Sequence, residues 1–233
     1  MTGPRRLLLI ALVVPLATLA GYFSYRAAAV MPAATAAPGA ATIASGSRAS
    51  DGDAPPPEAP ARMIPATLPG FTLTDRDGVP RTLAHWAGRP RLVNFWATWC
   101  APCRREIPLL KTLRREHAAD GLEVIGIAVD FRDDVLAYAQ EIGIDYPLLI
   151  GEQDGIDAVN AFGLEPVLPF SVFADREGRI VAVRIGELHA DEAEFILDRV
   201  REVDASRLAL PAAKQQIADK LRDLAAIRAQ KSG

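Results

Sequence analysis

An α/β fold built on a mixed, largely parallel sheet is predicted by three features of the sequence. Apolar runs of strand length at residues 92–96, 122–129 and 147–150 alternate with segments whose apolar residues recur at helical spacing. That is the pattern of βαβ crossovers and hence of parallel pairing. Two further apolar runs, 170–174 and 180–185, flank Asp175-Arg176-Glu177-Gly178, a turn that pairs them antiparallel at the edge of the sheet. Residues 191–203 carry Phe195, Ile196 and Val200 on one helical stripe, which suits a helix covering that sheet.

At the N-terminus, Arg5 and Arg6 precede an apolar, uncharged run at residues 7–23, and polarity returns at Ser24 and Arg26. The run sits at the lower edge of what crosses a bilayer as a helix, and Pro15 is tolerable there. Arginines on its N-terminal side predict that everything after Arg26 lies outside the cytoplasm. A cleaved secretory signal ending near Ala27-Ala28-Ala29 is the competing reading. The run exceeds a usual signal core, which favours an uncleaved anchor, and both readings export the remainder. Residues 1–30 are therefore read as anchor or signal. Residues 31–64 are rich in Ala, Pro, Gly and Ser, with Pro55-Pro56-Pro57 and hardly any large apolar side chain. Such a segment cannot bury enough surface to fold and reads as a tether.

Folding is expected to resume at residue 65 and to continue to 205. Residues 68–83 alternate around Asp77-Gly78, a hairpin signal. His85 and Trp86 follow in a short turn closed by Gly88; no second ligand or nucleophile lies at useful spacing, so His85 reads as a surface histidine. Gly121 stops the first helix, and the strand at 122–129 ends at Asp130, which opens a turn. Val135, Leu136, Tyr138, Ala139 and Ile142 form a helical face ending at Gly143, and residues 156–162 form a shorter helix. Beyond the domain, residues 206–233 are a helical extension, with Ile217, Leu221, Leu224 and Ile227 on a stripe expected to dock on its own domain.

The chemistry is concentrated where the strand at 92–96 runs into Cys100-Ala101-Pro102-Cys103 and then a helix. Cys-x-x-Cys can be half of a zinc site, but the chain has only two cysteines and no His-x₃₋₅-His run to complete one. As a structural bridge it would close too short a loop to stabilise much. Redox chemistry is the remaining reading. Cys100 is expected at the helix N-terminus, where free amide groups and the macrodipole favour a thiolate. Pro102 fits the first turn, and Cys103, one turn in, is shielded and placed to attack a mixed disulfide at Cys100. Glu106 lies one turn further on the same face. If partly buried, it could take the proton that Cys103 must lose; otherwise it is a solvated carboxylate beside Arg104 and Arg105.

Composition excludes other classes. A net charge of −3 without a basic stripe argues against nucleic acid as a partner class. No Gly-rich phosphate loop or dinucleotide fingerprint is present, so no cofactor is expected.

The segment Val93-Asn94-Phe95-Trp96-Ala97-Thr98-Trp99-Cys100-Ala101-Pro102-Cys103-Arg104-Arg105-Glu106-Ile107-Pro108 resembles the active-site region of membrane-anchored thioredoxin-like proteins of the TlpA/ResA/CcmG type, and the likeness extends over residues 68–203. The resemblance implies a thioredoxin-like three-layer sandwich with an added N-terminal β-hairpin. It implies a cis peptide before Pro169, with Leu168 offering its backbone to an extended substrate, and a substrate-contacting set of Trp99, Ala101, Pro102, Leu168 and Pro169. Thioredoxins proper carry a buried Asp where this chain has Asn94; the anchored family has a Glu that matches Glu106. The implied activity is reduction of disulfides in exported proteins, such as apocytochrome c or the copper-site cysteines of a respiratory oxidase. Recharging would come from a membrane thiol donor of the DsbD/CcdA kind, at a single-pass position in a bacterial inner membrane with the domain in the periplasm. Two rivals stand beside it. A pair of thiolates could hold Cu(I) for delivery, although no Met or His lies near the motif. A peroxidase would place a lone nucleophilic Cys after Thr-x-x, whereas Thr98 stands two residues before Cys100.

Overall fold

The structure, a computed structural model, describes residues 63–232. The expected membrane segment at 7–23 and nearly all of the tether lie outside the described residues. Among the described residues, no helix is long and apolar enough to cross a membrane.

Seven strands form one sheet: β1 (Leu73–Asp75), β2 (Pro80–Arg81), β3 (Arg91–Trp96), β4 (Glu123–Val129), β5 (Leu148–Gly151), β6 (Phe170–Ala174) and β7 (Ile180–Ile185). Their spatial order is β2-β1-β5-β4-β3-β6-β7. The central trio β3, β4 and β5 pairs in parallel, and β6 and β7 add antiparallel beside β3. On the other side, β1 lies antiparallel to β5 and to β2. The sheet is thus mixed. Five α-helices occur among the described residues: α1 (Ala101–Glu116), α2 (Arg132–Glu141), α3 (Gln153–Ala161), α4 (Ala190–Asp204) and α5 (Leu210–Ser232).

Alternation along the buried strands sorts the core into two layers. Leu92 and Trp96 of β3, with Val124 and Ala128 of β4, face the side covered by α1, α2, α4 and α5. Val93, Phe95, Ile125 and Ile127 face the opposite side, where α3 packs through Ala158 and Val159 beside Phe162. Because successive strand side chains point to opposite faces, a strand buried on both sides must be apolar throughout. Asn94 interrupts β3, so it needs a polar partner. Gly126, its neighbour in β4, admits no larger residue: a Cβ there would stand 2.7 Å from Leu148 Cδ2 and 2.9 Å from the Tyr146 ring.

The hairpin turns repeat one device. Asp75 Oδ1 accepts the amides of Asp77 and Val79, and Asp175 Oδ1 accepts that of Arg179. A carboxylate that satisfies turn amides competes well with solvent there. The C-terminal helix docks as expected through Ala213 and Ile217, which are buried, with Leu221 packed beside them. The stripe does not stay covered to its end, since Ile227 is 48% exposed.

Candidate active site

β3 delivers the chain to the cysteines, and two contacts fix how it leaves the sheet. The Cys100 amide donates to the Ala97 carbonyl at 3.2 Å, closing a tight turn. Thr98 then donates its amide (2.8 Å) and hydroxyl (2.5 Å) to Asp130 Oδ2, while the Phe131 amide binds Asp130 Oδ1. Asp130 lies at the end of β4, so one buried carboxylate ties the redox loop to the neighbouring strand. Its expected role as the opening of a turn was correct but incomplete.

Cys100 keeps extended backbone angles and immediately precedes α1; its Sγ receives the Cys103 amide at 3.3 Å. An unpaired N–H at a helix start aimed at sulfur is the interaction that favours a thiolate there. Pro102 occupies the first turn, where an amide hydrogen has no helical partner. The two sulfurs form a disulfide, with the Cα atoms 5.3 Å apart. Cys103 is fully buried and Cys100 retains 5% exposure, so an incoming group meets Cys100 first.

Opposite the motif, the Leu168–Pro169 peptide is cis, as the resemblance implies. The pair Phe95–Phe170 ends the β3–β6 ladder, which places Pro169 beside the point where β3 turns into the cysteine loop. The Pro169 carbonyl accepts the Gly186 amide at 2.8 Å. Trp99 is 70% exposed, Ala101 is exposed and Pro102 half-buried. Phe131, Val167 and Ile185 are also large, exposed and apolar. They adjoin Asp130, Leu168 and Gly186 in sequence, and the sequence analysis did not single them out. The signal was there: Phe131 and Val167 sit just outside regular elements and Ile185 ends β7, positions where burial is least expected.

Glu106 is the second chemical centre. It is not a solvated helix carboxylate but 2% exposed. Oε1 accepts Asn94 Nδ2 and Oε2 accepts the Leu188 amide, both at 2.6 Å. Asn94 Nδ2 also reaches Ser171 Oγ at 3.1 Å. Burial raises the Glu106 pKa to about 7, and the Leu188 and Asn94 donors hold it from rising further. Desolvation of the charged form outweighs two neutral donors. Asn94, Ser171 and Leu188 were not predicted as part of the site, because their partnership depends on contacts across the sheet. Among the described residues, no group of three or more His, Cys, Asp or Glu side chains converges as a metal site would.

Comparison with known proteins agrees with this geometry. Residues 64–205 match the family model described as the AhpC/TSA family. A thiol-disulfide oxidoreductase ResA from Bacillus thuringiensis (strain Al Hakam) is 31% identical over 139 residues, covering 59% of this chain and 79% of the relative. The ResA of Geobacillus thermodenitrificans is 29% identical over 145 residues, covering 62% and 82%. Among solved structures, a thiol:disulfide interchange protein of the thioredoxin family from Chlorobium tepidum superimposes with a TM-score of 0.51 at 31% identity, covering 60% of this chain and 96% of its own. Taken with a disulfide at a helix N-terminus on a thioredoxin-like sheet, these matches show that the chain belongs to the AhpC/TSA family and is a thiol-disulfide oxidoreductase of the ResA type with its cysteine pair at 100 and 103.

Proposed function

We propose that the protein reduces disulfides in exported proteins at the outer face of a bacterial inner membrane, held there by residues 1–30 and spaced from it by residues 31–64. Apocytochrome c and copper-site cysteines of a respiratory oxidase are the substrate class, and a membrane thiol donor of the DsbD/CcdA kind restores the dithiol. The observation that carries the reading is Cys100 Sγ at the start of α1, receiving the Cys103 amide one turn before the buried Glu106.

The Cys100 thiolate attacks one sulfur of the substrate disulfide. A Cys100–substrate bond forms, the substrate bond breaks, and the second substrate sulfur leaves as a thiolate that takes a proton. Cys103 gives its proton to the Glu106 carboxylate and attacks Cys100 Sγ. The bond now present in the structure forms, the Cys100–substrate bond breaks, and the departing substrate thiolate takes a proton, so the substrate leaves with both sulfurs reduced. Two electrons have moved from the cysteine pair to the substrate. Trp99, Ala101, Pro102, Leu168 and Pro169 form the docking surface, extended by the exposed Phe131, Val167 and Ile185.

Because Glu106 must be ionised to accept a proton and its pKa is about 7, the rate of substrate reduction rises with pH through neutrality. Glu106→Gln removes that inflection; an unchanged profile takes Glu106 out of the mechanism. An equilibrium redox titration tests direction. A strongly reducing potential supports donation, whereas one near the oxidising end of such motifs, or stoichiometric Cu(I) binding with negligible exchange, overturns it.

A further inference from the structure

We propose that the C-terminal helix α5, which lies beyond the matched family domain, positions the active-site loop at residues 186–189 through one buried carboxylate, Glu192, with Arg228 as its anchor. The inference rests on Glu106 serving the exchange reaction as proposed above, and it concerns what holds Glu106 in place.

The loop connecting β7 to α4 is tied down at every residue. Gly186 donates to the Pro169 carbonyl at 2.8 Å. Glu187 receives Arg105 of α1 through Nε at 3.0 Å, Leu188 donates to Glu106 at 2.6 Å, and the His189 amide donates to Glu192 Oε2 at 3.3 Å. The first three bonds reach the cysteine helix and the cis-proline segment. The fourth reaches a carboxylate that is itself 1% exposed.

Three elements meet on Glu192. It stands in the first turn of α4; Oε2 takes Arg184 Nε of β7 at 2.9 Å, and Oε1 takes an Arg228 guanidinium nitrogen of α5 at 2.7 Å. Arg228 reaches Asp191 Oδ1 as well, at 2.5 Å. A carboxylate that deep needs its oxygens occupied, because an uncompensated buried charge is far more costly than a paired one. Arg228 comes from the last turns of α5, one residue after the exposed Ile227. Apolar packing of α5 runs from Ala213 and Ile217 through Leu221 to the half-buried Leu224, and the Arg228 ion pair fixes the helix one turn further along. Arg228 and Glu192 are positioning residues: neither touches the sulfurs, and both act through the Leu188 amide on Glu106.

The charged and titratable groups around Glu106 are Glu187 of the loop, Arg184 of β7 and the Tyr146 phenol, which burial keeps neutral; Arg105 of α1 is held on Glu187. A looser Leu188 bond weakens a donor that favours the Glu106 carboxylate, so its proton affinity rises.

The test uses the full chain with Arg228→Gln and, as the conservative control, Arg228→Lys. Exchange of the Leu188 amide hydrogen is followed by NMR, together with the pH dependence of reduction of a disulfide-bonded peptide. The expected result for Arg228→Gln is at least about tenfold faster Leu188 exchange and a rate profile displaced upward by about half a pH unit, with Arg228→Lys restoring both. If Arg228→Gln does not fold, Glu192→Gln, which preserves shape, is read in the same way. Leu188 exchange unchanged from wild type overturns the proposal even if the melting temperature falls. A flat response to Glu106→Gln instead removes the proton role of Glu106, and Leu188 exchange still decides whether the helix holds the loop.

Discussion

Two buried glutamates flank the loop at residues 186–189, and the molecule treats them in opposite ways. Glu106 is 2% exposed and Glu192 is 1% exposed. The first accepts only neutral donors, the Asn94 amide and the Leu188 backbone. The second holds a guanidinium on each oxygen, from Arg184 and Arg228. Equal burial therefore yields different chemistry. A carboxylate matched by two cations is a fixed joint, whereas one supported by neutral dipoles has its pKa raised to about 7 and can exchange a proton near neutrality. The site keeps the labile acid beside Cys103 and the ion-paired one at the far end of the loop.

The largest expected effect breaks the comparison at Glu106. Its pKa is raised from 4.5 to about 7, so the protonated form is the one the fold prefers. The associated stability is fully present below pH 4.5 and is lost as pH rises through 7, on the order of 3 kcal/mol in all. Glu106→Gln should therefore gain on the parent protein by about that much between pH 4 and pH 8, read as a difference in denaturant midpoints. A gap that stays constant over that range would mean that the fold does not shift the Glu106 pKa from its unfolded value.

Next in size is Glu192→Ala. It leaves Arg184 and Arg228 facing each other without their shared carboxylate. Both arginines are partly solvated, so the loss is about 2 kcal/mol rather than the full cost of stranding a buried charge, read as a shift of the denaturant midpoint. An unchanged midpoint would show that the two ion pairs do not hold the loop and would erase the contrast with Glu106. The smallest effect sharpens the same contrast from outside. Arg105 is 60% exposed in its pair with Glu187, and Arg105→Ala should leave the melting temperature close to that of the parent protein, because a solvated ion pair contributes little. A larger loss by thermal unfolding would show that the loop depends on its surface tie as much as on Glu192.

Much of this was legible from residue order. The apolar runs of β3 and β4, the turn at Asp175-Arg176-Glu177-Gly178 and the helix start at Pro102 each depend on neighbours along the chain. The cis-proline was implied by resemblance rather than by any local signal. Other features were not legible. Asn94 read as an interruption of an apolar strand, and only the folded sheet shows that it serves Glu106 and Ser171. Asp130 read as a turn former, yet it fastens Thr98 from 32 residues away. The stripe on α5 gave the docking of its first turns, but not the exposure of Ile227 or the ion pair at Arg228.

By itself, then, the sequence determined the order of elements, the redox pair and its place at a helix N-terminus, because periodicity, capping and the Cys-x-x-Cys spacing are properties of adjacent residues. Only the tertiary structure decided which of two glutamates is an acid near pH 7 and which is a joint. Desolvation and charge pairing act through space, and the Leu188 amide that shares the Glu106 carboxylate lies 82 residues from it along the chain.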